Sequence, residues 1–415
     1  MLKQQKIFFD FLRFCIGSAK EIPGSLKDAN WKELYAIAKK QCLVGVLFDG
    51  IKKLPAEHVG MKKELLLQWM AESQMLEKAN VRLNDAAIQV SEWFWKKGFR
   101  TCILKGQGNA LMYPNPYSRT PGDIDIWVEG GDKRVIFFVR SISPHEKACY
   151  HHIEFPSYKG VEVEVHYRPS FLLCFWHNRK LQKYYERVKE KQFSHWVMLG
   201  EQGEVAIPTA EFNLIFQLTH IFAHLMNEGI GLRQLLDYYF VVCDFYKVYQ
   251  NFSNPSVSLS KGSSTFSPSP SSSGSGDVTA LRCSEPLRYK VGGPSKVSPD
   301  CAGWDRLGVV QEEFKELGLW KFASAIMYIM QEVFGMPASR LIVPPNEKYG
   351  RFVLNEVLEA GNFGKHDERN RFGKSKLGHN LQRVYRDMRL VRYFPAEALC
   401  EPLFRVWHFF WRKSR

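Results

Sequence analysis

The chain has 415 residues, of which 57 are Lys or Arg and 43 are Asp or Glu, giving a formal net charge of +14. That length holds a sizeable core and more than one structural region, and the positive surplus fits an anionic partner (nucleotide, RNA, phosphorylated sugar or acidic membrane surface) without choosing among them. Nine scattered cysteines without paired metal spacing argue against a disulfide framework and for a reducing cytoplasm, and no apolar run is long enough to cross a bilayer.

Residues 1–97 read as a helical region. Apolar positions recur at helical spacing in Ile7, Phe8, Phe9, Phe11 and Leu12, in Trp31 to Ala38, and in Leu65, Leu66, Leu67, Trp69 and Met70. Asp10 and Arg13 interrupt the first run, which makes it an amphipathic helix and not a signal peptide. A helix from Leu83 to Lys97 stops at Gly98 and leads into a short strand, Arg100–Leu104.

Residues 98–170 carry a small mixed α/β core. Its first strand ends at Lys105-Gly106, followed by Gln107-Gly108. A strand that ends in glycine and opens a helix offers free backbone N–H groups to a phosphate, and Lys105 adds a charge beside them; the plain alternative is a turn. Tyr113–Pro121 holds three prolines and reads as a loop, from which Arg119 can reach a triphosphate. Gly122-Asp123-Ile124-Asp125-Ile126-Trp127-Val128 then alternates polar and apolar, so a strand there points Asp123 and Asp125 the same way. Two neighbouring carboxylates repel, and a divalent cation relieves the repulsion. Oxygen ligands suit magnesium or manganese (Mg2+ or Mn2+) held together with nucleotide phosphates; the alternative is an ordinary solvent-facing strand end.

An amphipathic helix follows at Gly130–Ser141. Two strand-like runs, Ala148–Phe155 and Val161–Tyr167, flank a turn near Pro156–Gly160. In the second run Glu162, Glu164 and His166 share one face and Val161, Val163 and Val165 the other. If that strand lies beside the aspartate strand, a glutamate completes a three-carboxylate site, Glu164 by preference and Glu162 otherwise.

The order Leu104-Lys105-Gly106, proline-containing loop, Arg119, GDIDI strand and VEVH strand resembles the polymerase-β-like nucleotidyltransferase superfamily, and within it the bacterial "uncharacterised nucleotidyltransferase" family. The resemblance extends through His220 and His224, through Gly231-Leu232-Arg233-Gln234 to Asp237, and to EAGNFGKHDERN at 359–370. It implies an α/β (α+β) fold, in which a small mixed-sheet nucleotidyltransferase core is flanked by N-terminal and C-terminal helical regions. The implied reaction moves a nucleoside monophosphate from a nucleoside triphosphate to a hydroxyl acceptor and releases pyrophosphate. Asp123, Asp125 and Glu164 would hold the metal, with Lys105, Gly106, Gln107, Gly108 and Arg119 on the nucleotide. His166, His220, His224, Arg233 and Asp237 would lie near the substrate pocket. The chain departs from the superfamily pattern in carrying Lys105-Gly106 where Gly-Ser or Gly-Gly is usual. The acceptor stays open among sugar, small molecule, peptide and RNA. A nucleotide-binding scaffold without turnover and a toxin-like RNA nucleotidyltransferase are the competing readings.

Residues 171–250 and 303–415 read as a C-terminal helical region. Its first part is aromatic and basic (Phe175, Trp176, Arg179, Lys180, Tyr184, Tyr185, Arg187, Lys189), which suits a solvated basic helix face or base stacking. His220 and His224 sit one helical turn apart, Gly229 and Gly231 break the helix, and Arg233 and Asp237 are spaced for a surface ion pair. Residues 251–302 form a Ser/Gly/Pro-rich insertion expected to be disordered. His366, Asp367 and Glu368 read as surface or interdomain contacts. The terminal Trp407, Phe409, Phe410, Trp411, Arg412 and Lys413 read as a helix docked on the helical body, with peripheral membrane contact as the alternative.

Overall fold

Valine and polar side chains alternate along Val161–His166, and the strand they form separates an apolar layer from a polar one. The computed structural model describes residues 3–201, 203–253, 306–367, 369 and 376–415. In chain order the elements are α1 (Lys3–Ile16), α2 (Trp31–Lys40), α3 (Val44–Ile51), α4 (Lys63–Lys96), β1 (Thr101–Ile103), α5 (Gln107–Ala110), β2 (Ile124–Val128), α6 (Gly131–Ile142), β3 (His152–Tyr158), β4 (Val161–His166), α7 (Phe175–Phe193), β5 (Trp196–Met198), β6 (Glu204–Ala206), α8 (Ala210–Asn227), α9 (Leu232–Ser253), α10 (Arg306–Glu316), α11 (Trp320–Glu332), α12 (Glu347–Ala360), α13 (Lys376–Leu390) and α14 (Pro395–Lys413). The result is a small mixed sheet among helices, the α+β architecture that the sequence implies.

The four-stranded sheet has the order β1-β2-β4-β3. β1 is antiparallel to β2, β2 is parallel to β4, and β4 is antiparallel to β3. One face is apolar. Ile103, Ile124, Ile126, Val128, Val163 and Val165 pack there with Val135, Ile136 and Val139 of α6 and Ala86, Ala87, Val90 and Phe94 of α4. Burying each of the larger side chains is worth about 1.5–3 kcal/mol, and this fixes the register, because a one-residue slip would send the carboxylates into that layer. The opposite face carries Asp125, Glu164 and His166 together with Trp127. Trp127 joins the larger core built from α1–α3, the first half of α4, α7–α12 and single faces of α13 and α14.

Three expectations change in detail. The two helical stretches foreseen around Leu65–Met70 and Leu83–Lys97 are one 34-residue helix, α4. Trp69 is buried in its second turn and donates from Nε1 to the Val44 carbonyl at 2.9 Å. The hairpin turn, expected near Pro156–Gly160, narrows to the last two of those residues, Lys159-Gly160, both with positive φ. β3 therefore runs on to Tyr158, and Pro156 is tolerated because β3 is an edge strand with an irregularity between Phe155 and Tyr158. The aromatic-basic stretch is the helix α7, followed by a two-stranded hairpin, β5-β6, that composition did not reveal.

Residues 251–253 complete α9, and the rest of the Ser/Gly/Pro-rich insertion lies outside the described residues. Beyond α12, Gly361, Phe363 and Gly364 all have positive φ, and this tight path presses against the α8–α9 connection. A Cβ on Gly364 would lie 2.1 Å from the Glu228 carbonyl oxygen, and one on Gly231 would lie 2.9 Å from Asn362 Cα. Asp367 is buried and paired with Arg369 at 2.7 Å, so it is an internal contact and not a surface one; Glu368 lies outside the described residues. α14 docks through Glu397, Ala398, Glu401 and Phe404 and turns Leu399, Leu403, Val406 and Phe410 outward. No helix among the described residues is long and apolar enough to cross a membrane.

Candidate active site

The parallel pairing of β2 with β4 makes Asp125 and Glu164 Cα register partners. Side chains of register partners point to the same face, and Asp123 enters just ahead of β2. Oxygen atoms of Asp123, Asp125 and Glu164 lie within 4.8 Å of one another. Glu162, two residues earlier on β4, is exposed and borders the same cavity; the register places Glu164, not Glu162, against Asp125.

Asp125 is almost fully buried. Its Oδ1 meets Lys105 Nζ at 3.0 Å and His166 Nε2 at 3.0 Å, while its Oδ2 is buried without a hydrogen-bond partner. Both nitrogens of His166 face acceptors, Asp125 and Glu164 on one side and the Arg168 carbonyl on the other. A ring so placed is held doubly protonated. Burial alone would lower His166, but the two carboxylates outweigh it and raise it to about 9. Burial likewise opposes ionisation of Asp125, yet Lys105 and His166 hold its carboxyl below the usual range. Glu164 is held down to about 2 by His166 and His152 against the cost of burial.

Lys105 is the hinge of a longer chain of contacts. Its Nζ is 3.0 Å from His220 Nε2, His220 is 3.0 Å from His224 Nε2, and His224 Nδ1 is 3.4 Å from Glu228. Burial would lower Lys105, but Asp125, Asp123 and Glu164 keep it above its ordinary value. His220 pays in the other direction: burial and then Lys105 keep its imidazole well below the normal range, so it is neutral. His151 and His152 are depressed for the same first reason, burial, with His152 at about 4.

Gly106 turns the chain with φ +63 and opens α5. Gln107 faces the other way, its amide donating to the Asn84 side chain and the Asn80 carbonyl of α4. Gly108 packs where an added Cβ would be 3.1 Å from Ile207. Arg119, expected at a triphosphate, instead forms a two-pronged ion pair with Asp237, with Nε–Oδ1 and Nη2–Oδ2 both 2.8 Å. Tyr113 donates to the same carboxylate at 2.7 Å. Asp237 is therefore not half of a surface pair with Arg233. Arg233 donates from Nη1 to the Thr120 carbonyl at 3.1 Å and keeps a buried, unpartnered Nε. Burial, reinforced by Arg119, lowers its affinity for its proton.

Several of these groups line a cavity of about 980 Å³, whose walls include Lys105, Asp123, Glu164, His166, His220 and Arg233, and Asp125, Arg119 and Asp237 border a smaller pocket that shares Lys105, Asp123 and Arg233 with it. A model of the family described as uncharacterised nucleotidyltransferases matches residues 27–248. The chain belongs to that family. No curated protein and no solved structure matches it.

The span matched by the nucleotidyltransferase family covers every donor described so far. Two parts of the cavity wall lie beyond it: the loop after α12, with Phe363 and Lys365, and the C-terminal helices, with Arg383 from α13 and Glu401, Phe404, Arg405 and His408 from α14. Sequence reasoning singled out neither set as site residues, nor His151 and His152. His152 had a usable signal: it pairs with His166 across β3-β4, so alternation places it on the same face once the register is known. Phe363 had none, because a positive φ of 53 at a non-glycine residue delivers its ring, 5.1 Å from that of His224.

Proposed function

We propose that this chain is a metal-dependent nucleotidyltransferase that moves a nucleoside monophosphate from a nucleoside triphosphate to a hydroxyl acceptor. The observation that carries the reading is the bare, buried Oδ2 of Asp125 beside oxygens of Asp123 and Glu164. An unpaired carboxylate oxygen in a buried site is costly, and an all-oxygen donor set fits Mg2+ or Mn2+. When bound, such an ion neutralises phosphate charge and acidifies the acceptor hydroxyl. Asp123 and Asp125 would hold it, and Glu164 would complete the set. With its carboxyl at about 2, Glu164 is a weak base, so in this reading it acts as a ligand and the acceptor's proton is lost to solvent. The acceptor oxygen bonds to the α-phosphorus as the bond to pyrophosphate breaks.

Lys105, Arg233 and Lys365 line the cavity and supply positive charge to the triphosphate. Arg119 works from behind, fixing the loop before β2 to α9 through Asp237. The test is calorimetric binding of the four ribonucleoside triphosphates, with and without magnesium, to the wild type and to Asp123→Asn/Asp125→Asn. Magnesium-dependent binding that disappears in the double variant is expected. Absence of triphosphate binding by the wild type would overturn the reading.

One observation favours a second reading. Lys105 and protonated His166 already neutralise Asp125 from within the chain, as a nucleotide-binding scaffold without turnover would require. Triphosphate binding that persists in chelator, with no pyrophosphate released across an acceptor panel, distinguishes it.

A further inference from the structure

Away from the carboxylates, two helix starts meet. Cys174 precedes α7 and His177 lies in its first turn, while Glu397 lies in the first turn of α14 and Cys400 follows one turn later. Each pair is spaced i, i+3, so each presents both side chains on one helix face. The ligand atoms of Cys174, His177 and Glu397 lie within 4.8 Å of one another. His177 Nδ1 is 3.0 Å from Glu397 Oε1, and Cys400 adjoins Cys174. Cys174 and Glu397 are buried.

We infer that Cys174, His177, Glu397 and Cys400 hold a zinc ion that fastens α14 to α7. Two sulfurs, an imidazole nitrogen and a carboxylate oxygen make a donor set that tetrahedral zinc accepts. The carboxylate is already oriented: Oε2 accepts from the backbone N–H groups of Leu173 at 2.6 Å and Cys174 at 2.9 Å, which leaves Oε1 on the cluster side. Binding releases the two thiol protons and leaves His177 a neutral ligand whose remaining proton sits on Nε2, with no change of oxidation state. Both helix N-termini add positive potential to the cluster.

The site joins the two parts of the chain. Cys174 and His177 fall inside the family-matched span, and Glu397 and Cys400 fall outside it. The next turn of α14 carries Glu401, Phe404 and Arg405 into the cavity wall. Zinc here is structural, and it sets where that wall stands whichever reaction the cavity performs.

The test begins with the full chain purified under reducing conditions without chelator. About one zinc per chain is expected, lost in Cys174→Ser/Cys400→Ser and kept in Cys149→Ser. The Cys149→Ser control separates this site from the neighbouring Cys149, His151 and His152 group. Cobalt added to metal-stripped wild type gives a second measurement that needs no variant. A thiolate-to-cobalt charge-transfer band with tetrahedral visible bands is expected. Zinc-free wild type with no thiolate band, metal retained in the double variant, metal lost in Cys149→Ser, or a Cys174–Cys400 disulfide in the unreduced chain would each overturn the assignment.

Discussion

Asp125 and Glu164 face each other across adjacent parallel strands, and one nitrogen of His166 stands between them, 3.0 Å from the first and 3.4 Å from the second. That imidazole does for the pair what a divalent ion would do: it cancels the repulsion of two carboxylates in a buried place. A proton on His166 and a metal on Asp125 therefore compete.

The competition sets the pH behaviour. His166 faces Asp125 on β2, Glu164 on its own strand, Lys105, and the rings of His151 and His152 at 5.4 and 5.2 Å. Its pKa in the folded chain is raised to about 9, so its contribution to stability is full below about 6.5, the unfolded value, and is lost as pH rises through about 9. His152 has the opposite sign. Its pKa is lowered to about 4, so its contribution is present above about 6.5 and lost as pH falls through about 4. In chelator, the melting temperature should fall on both sides of about pH 6.5. His166→Asn should flatten the alkaline limb and His152→Asn the acid one. Magnesium affinity should rise between about pH 7 and 9 as the proton leaves. An affinity that does not change over that range would show that His166 does not compete with the ion.

Replacing Asp125 with Asn removes the charge but keeps the shape. Losing several kcal/mol of charge stabilisation corresponds to about a thousandfold in rate or more. Pyrophosphate release should fall by that factor while far-ultraviolet circular dichroism stays unchanged. Full activity in Asp125→Asn would remove this carboxylate from the metal site.

Much of this site was legible from alternation alone. Asp123, Asp125 and Glu164 meet because both strands keep strict period-two patterning with isoleucine or valine on the buried face, and that pattern is written in the residues. What alternation cannot supply is which strands neighbour each other and what arrives from far along the chain. The pairing of Arg119 with Asp237 joins residues 118 apart, and local spacing pointed to Arg233 because a helix makes i, i+4 pairs visible. The part of the wall with Phe363 and Lys365 depends on left-handed backbone at Gly361, Phe363 and Gly364 after α12, a matter of tertiary path. The hairpin β5-β6 is two three-residue strands, too short for any periodicity to show.

The Arg119–Asp237 pair is itself a stability prediction. Both side chains are buried and each depends on the other for its charge. Asp237→Asn leaves a buried guanidinium unpaired and should cost about 3–5 kcal/mol. Arg119→Met with Asp237→Leu removes both charges and should cost less than the two single changes added together. Additive losses in chemical denaturation would mean that the two side chains are energetically independent despite their contact.

Gly364 tests whether the loop after α12 is built against the α8–α9 turn or merely lies near it. Gly160 and Gly364 both have positive φ, +77 and +66, so alanine at either pays the left-handed penalty of about 1–2 kcal/mol. Only Gly364 adds a collision, its Cβ falling 2.1 Å from the Glu228 carbonyl oxygen, whereas a Cβ on Gly160 meets nothing within 4 Å. Backbone cannot yield as a side-chain tip can, so Gly364→Ala should displace the loop as well as strain it. Gly364→Ala should therefore lose more stability than Gly160→Ala and also weaken triphosphate binding, since the displaced loop carries Phe363 and Lys365 away from the cavity. Equal losses in the two variants, with binding intact, would show that the loop tolerates separation from α8 and contributes nothing to the site.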